Sequence, residues 1–183
     1  MAIVIPYTRQ IWTDGSGGGT PVSAARLAVM EEGLVDVSQA PAVRVFHNAA
    51  TAIVTSTTTA LNFNSERYDQ AGGASAAQHD TVTNNNRLTC LYAGIYMIDG
   101  HIQWAASTSG NREISIRLNG ATFIADHGSS PQLAINFGQS ICTTYTLAVN
   151  DYVELLVWQN SGGNLNVNST GNYSPEFGMV RLA

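Results

Sequence analysis

The side chains able to do chemistry are few and widely spaced. His47, His79, His101 and His127 stand far apart, and none has a second ligand at the separation a metal site uses. Three of them fall in or beside alternating apolar runs, where a histidine serves as a hydrogen-bonded structural residue. Two carboxylate groupings, Glu66 with Asp69 and Glu113 with Asp126, supply the residue types of glycoside hydrolysis, which needs one acid and one base or nucleophile. No G-x-S-x-G, H-E-x-x-H, C-x-x-C or phosphate-loop pattern organises any of them. No catalytic, cofactor-binding or metal-ligating residue is therefore assigned, and the chain reads as a non-enzyme. Cys90 and Cys142 each sit in an alternating run, RLTCLY and SICTTYTL, which predicts two buried free thiols.

Composition narrows the function classes. A chain of 183 residues suffices for one ordinary domain with an appendage. Charged residues make up 11%, well under the roughly 25% of a soluble domain. Asn, Thr, Ser, Gln and Gly supply the missing polarity. Such a surface can be buried against copies of itself without desolvating many charges, which favours an assembly component. The net charge is −5, and all eight cationic residues are arginines scattered along the chain. Nucleic-acid binding needs clustered cations to displace counterions, so that class is set aside. No segment reaches the roughly 18–20 apolar residues of a membrane span. The start, MAIVIPYTRQ, lacks the basic region and long apolar stretch of a signal peptide, so synthesis in a cytoplasm is expected.

The elements that would position these residues fall into two regions, 1–41 and 42–183. Residues 1–20 hold an apolar tip, Tyr7, Trp12 and the stretch DGSGGGT, and read as an extended arm that needs a partner surface. Residues 20–40 read as one short helix, with Thr20 as N-cap, Pro21 at the first turn and Pro41 as its close. Leu27, Met30, Leu34 and Val37 recur at spacings of 3, 4 and 3, a heptad seam for sister chains or a docking site. From Val43 onward the period is two. Strands are expected at 43–47, 51–55, 59–63, 87–91, 94–106, 112–119, 122–127, 132–138, 140–149, 152–160 and 176–182. Asn119-Gly120, between two of them, is a strong hairpin signal. About ten short strands with tight turns mean an all-β sandwich or barrel. Two Asn/Ser/Gly-rich connections, 70–86 and 161–175, are the recognition loops such a scaffold would carry.

Three places in the second region resemble the C1q/tumour-necrosis-factor superfamily of jelly rolls. They are Gly94-Ile95-Tyr96-Met97-Ile98 preceded by Leu88, then Leu147 with Asn150-Asp151, Val153 and Leu155, and last Phe177-Gly178 with Leu182. Leu88 and Ile98 replace the family's aromatics and Asn150 its glycine. The resemblance implies a homotrimer packed along a three-fold axis, with Tyr96, Tyr152, Trp158 and Phe177 as axis candidates. One residue per chain becomes three on such an axis, so His101, Asp99 and Asp151 are candidates for holding an axial ion.

A second resemblance concerns the start of the chain. Trp12, Asp14-Gly15, Gly18-Gly19-Thr20-Pro21, Ser23-Ala24-Ala25-Arg26-Leu27, Met30-Glu31 and Gly33 are similar to a segment that opens many phage tail-fibre, baseplate and other virion proteins. It implies that residues 1–40 dock on other virion proteins, with Tyr7, Trp12 and Pro21 as anchors. The two resemblances together imply a homotrimeric bacteriophage fibre or knob, made in the host cytoplasm and located in the virion. Host-surface glycan is its candidate ligand, through Trp104, Trp158 and Tyr173. A capsid decoration protein that clamps the shell is the alternative, and a polysaccharide-degrading enzyme the least favoured.

Overall fold

A computed structural model describes residues 25, 27–31, 40–72, 74, 76–131 and 133–183. The chain divides into two compact units, 1–39 and 40–183. In the first, residues 25 and 27–31 are helical, and Leu27, Val29 and Met30 are exposed. Leu34, Val37, Tyr7, Trp12 and Pro21 lie outside the described residues.

The second unit is built from twelve strands: β1 (Ala42–Phe46), β2 (Thr51–Ile53), β3 (Thr59–Ala60), β4 (Ser65–Gln70), β5 (Leu88–Thr89), β6 (Gly94–Trp104), β7 (Arg112–Leu118), β8 (Thr122–Ser129), β9 (Phe137–Leu147), β10 (Tyr152–Gln159), β11 (Leu165–Val167) and β12 (Glu176–Arg181). They form two antiparallel sheets. In the first, β6 pairs with β9 along one edge and with β12 and β11 along the other; β1 and β4 continue beyond β12, and β2 beyond β11. In the second, β10 lies between β7 and the short β3 and β5, and β8 ends the sheet.

The core lies between the sheets and follows the two-residue period. From β6 come Tyr96, Ile98, Ile102 and Trp104, from β7 Ile114 and Ile116, and from β10 Val153, Leu155 and Val157. Phe63 stacks on Phe177 with ring centroids 5.8 Å apart. Gly100 takes the inward position between Ile98 and Ile102, where a Cβ would come within 2.6 Å of Leu155. Asn119 and Gly120, at φ 50° and 70°, make the left-handed hairpin turn between β7 and β8 that their residue types predict. Buried Trp104 donates from Nε1 to Gln139 Oε1 at 2.7 Å, and Gln139 Nε2 donates to His127 O at 3.1 Å.

Four details differ from the expected strand pattern. SERYDQ forms β4 although no face of it is apolar, because it is an outer strand with little of its surface covered. The connection 161–175 contains β11, three residues paired to β2 and touching β6 only at Trp104. The expected break near residue 139 is absent: β9 runs unbroken over 11 residues, whereas Leu133 and Ile135 precede it and are exposed. Cys90 is buried and free, its Sγ donating to Tyr92 O, but the free thiol of Cys142 is exposed, since alternation places its neighbour Ile141 inside.

Trp104→Phe keeps most of the ring's apolar bulk but leaves Gln139 Oε1 buried without a donor. The expected loss is about 1–3 kcal/mol, read from urea unfolding.

Candidate functional site

Among the described residues of the head, one sheet face and one lateral edge carry exposed apolar side chains. On β6 the residues opposite the core set are Ile95, Met97, Asp99, His101 and Gln103. Register aligns them across the sheet. Met97 stands between Thr144 of β9 and Val180 of β12, and Val180 pairs with Ala42 of β1. Ile95 pairs with Thr146, and Leu182 donates its N–H to Ile95 O at 2.7 Å. Ile95, Met97 and Leu182 are all exposed. The next row runs Tyr68, Arg44, Gly178, Asp99, Cys142. Water reaches Asp99, yet the protein surrounding it raises its carboxyl above the ordinary value of 3.8, desolvation outweighing the nearby Arg44 guanidinium.

The other end of this face is closed. Glu176, only 3% exposed, accepts from Arg44 Nε at 2.7 Å and from Arg67 Nη2 at 2.8 Å. Arg67 also stacks 3.8 Å above the Phe46 ring. The same two arginines donate to Asn172 O and Gly171 O, which ties the 168–175 connection over the sheet. Tyr173 then meets His101 edge to face, and Ser174 Oγ accepts from Gln103 N at 2.7 Å. The open part of the face is therefore the Ile95–Met97–Leu182 end.

The lateral edge is where β8 ends one sheet and β9 the other. It exposes Phe123, Tyr145 and, from the connection between the two strands, Leu133 and Ile135. This patch differs in composition from the sheet-face row and meets it at Ile95 and Tyr145, which line one shallow depression with Thr144 and Thr146.

A groove of about 630 Å³ lies on the opposite side, under residues 77–84 and against Glu66, Arg87, Thr89 and Tyr152. Asp69 Oδ2 accepts from Gln78 N at 2.8 Å and His79 N at 3.0 Å. The buried His79 ring bridges Glu66 Oε1 at 2.9 Å and Asn85 O at 3.2 Å. Asp80 Oδ1 accepts from Val82 N and Thr83 N, and those backbone bonds hold its carboxyl below the ordinary range. Arg87 lies 4.1 Å above the Tyr152 ring.

The residues named from sequence do not converge. Tyr96 and Phe177, named for a three-fold axis, are 0% and 1% exposed in the protomer core, which removes them from any axis. The resemblance carried their positions along the strands but not the side they face; on β6 the outward partner of Tyr96 is Met97. Tyr152 and Trp158 are half-buried on the second sheet, under Arg87 and opposite Glu113 respectively. Trp104 is 0% exposed and unavailable to a glycan, whereas Tyr173 is exposed. Asp151 caps its own turn, accepting from Ala148 N and Asn119 Nδ2, while Asp99 and His101 share the sheet face. Of the carboxylate groupings, Glu66 and Asp69 are occupied in holding the 77–85 loop. Glu113 and Asp126 are on adjacent strands, and burial followed by the Asp126 charge raises the Glu113 carboxyl. Ile95, Met97 and Phe123 escaped notice, although GIYMI places apolar residues on both sides of one strand and so signals a second contact surface.

No family model and no curated protein sequence matches the chain. Among solved structures it is similar to the globular domain of the zebrafish complement 1qA protein, with a TM-score of 0.54 and 15% identity, over 78% of this chain and 98% of that one. It is also similar to the Eiger TNF of S. frugiperda, at 0.56 and 13%, over 79% and 94% of the two chains. Murine APRIL at pH 5.0 gives 0.56 and 11%, over 78% and 99%. The unit 40–183 thus has the C1q/tumour-necrosis-factor jelly-roll fold.

The Asp99 shift has a sign that can be checked. Its carboxyl holds a proton to higher pH in the folded head than in the unfolded chain, so stability falls as pH rises through that window. Asp99→Asn is expected to melt above the parent at pH ~7, with the gain vanishing below the ordinary value of 3.8.

Proposed function

We propose that the chain is a non-enzymatic structural protein of a bacteriophage virion, a homotrimeric fibre tip or knob. Residues 1–40 dock it to other virion proteins, and the jelly-roll head projects outward. The observation that carries the assembly is the pair of unlike apolar patches, Ile95–Met97–Leu182 on the sheet face and Phe123–Tyr145 on the edge. A two-fold contact sets one patch against itself, whereas two unlike patches meeting head to tail close a ring. Similarity to a superfamily of trimeric heads favours a ring of three. The low charge of the chain suits burial of both patches, since few ions need desolvation.

The virion assignment is supported by the resemblance of the N-terminal segment to those of phage fibre and baseplate proteins. The exposed helical residues Leu27, Val29 and Met30 supply apolar surface for such docking. Host-surface glycan is the ligand proposed for the head, with Tyr173 and the groove beneath residues 77–84 as the surfaces that offer it aromatic and neutral hydrogen-bonding groups.

Two experiments test this reading. Quantitative mass spectrometry of particles released by the phage that encodes the chain should find it there, at tens of copies or fewer. Hundreds of copies would identify the capsid decoration protein instead, and absence from particles would refute both. Every contact in a head-to-tail ring uses both patches, so Met97→Glu alone, or Phe123→Glu with Tyr145→Glu, should sediment as single chains with unchanged far-ultraviolet circular dichroism. An assembly that survives either set of changes contradicts the proposed interface.

A further inference from the structure

Among the described residues, one almost fully buried cation makes no ion pair. Arg112 opens β7 and points inward with Ile114 and Ile116, and it is 1% exposed. It lies near one end of the sandwich, beneath the turn that precedes the strand. Its Nη1 donates to Ser109 O at 2.9 Å and Asn111 O at 3.0 Å, while Nε and Nη2 are buried with no partner. Those two nitrogens share one edge of the guanidinium, the fork that holds an anion through parallel N–H bonds.

No acceptor among the described residues meets that fork. Among the described residues, the ion pairs use Glu66, Glu154 and Glu176, all with other cations. The Trp104 ring, 5.8 Å from the guanidinium carbon, offers a negative face but no lone pair. Arginine does not shed its proton in proteins, so the charge persists however poorly it is solvated. A water molecule would satisfy the two donors and leave the charge uncompensated, which is the costlier half of the problem.

We propose that the free Nε/Nη2 edge of Arg112 binds a small inorganic anion, chloride in ordinary solution, enclosed within each head. The 1% exposure of the side chain favours a monatomic ion over a peptide carboxylate or an acidic sugar. That turn is fastened by polar bonds: Asn111 N donates to Asn160 Oδ1, and Asn160 N donates to Asn111 O at 3.3 Å. The anion would hold the two connections together from within. This inference is independent of the virion role.

The test uses the full chain. Melting is followed in sodium chloride and in sodium gluconate at equal ionic strength, and crystals soaked in bromide are examined for anomalous scattering. Chloride at about a hundred times its dissociation constant should raise the melting temperature by about 5 °C or more over gluconate. Arg112→Met should abolish the difference. Should that variant fail to fold, the bromide experiment decides alone: a peak within hydrogen-bond reach of Nε and Nη2 is expected. Equal melting of the parent in the two salts, a chloride effect that persists in Arg112→Met, or no bromide peak at the fork would each overturn the proposal.

Discussion

Because successive residues of a strand point to opposite faces, the eleven residues of β6 commit the head on both sides at once. Inward, Tyr96, Ile98, Ile102 and Trp104 meet the second sheet, and Gly100 leaves room for Leu155. Outward, the same strand must present Ile95, Met97, Asp99, His101 and Gln103. The strand is paired along both edges by β9, β12 and β11, so a slip of one residue would exchange the two sets and unmake the core. The outward apolar row is thus held in place by the inward one.

Charge is used sparingly and by position. Glu176 and Glu154, each nearly excluded from water, are both held by two arginines, and Glu154 also accepts from Asn86. Removing one partner from such a group leaves a buried charge uncompensated, so these clusters fix the connections around 84–87 and 171–172 more than they add net stability. The Glu176 cluster closes one end of the outward face, while Ile95, Met97 and Leu182 at the other end are exposed. Arg112 differs in being almost wholly excluded from water while making no ion pair among the described residues.

Much of this was legible in the residues. The Asn119-Gly120 hairpin and the alternating runs of β6, β7 and β10 follow from local chemistry and period alone. Period-two counting even groups Arg112 with Ile114 and Ile116, so its burial was readable before any coordinate. What stayed hidden depended on pairing. SERYDQ has no apolar face, and only its bonds to β1 make it a strand. The loop after it is organised by Asp69, His79 and Glu66, whose convergence no spacing announces. Tyr96 and Phe177 were placed on an axis by resemblance, but their own alternation with Met97 and Gly178 turns them into the core.

Closure of the head into a three-membered ring through two different surfaces sets the mass of the protein in solution. The most direct measurement is the mass of the full chain in solution, by light scattering coupled to size exclusion. A ring of three gives three times the 19.4 kDa of one chain, unchanged on dilution. A mass of one chain, or of two, would contradict it.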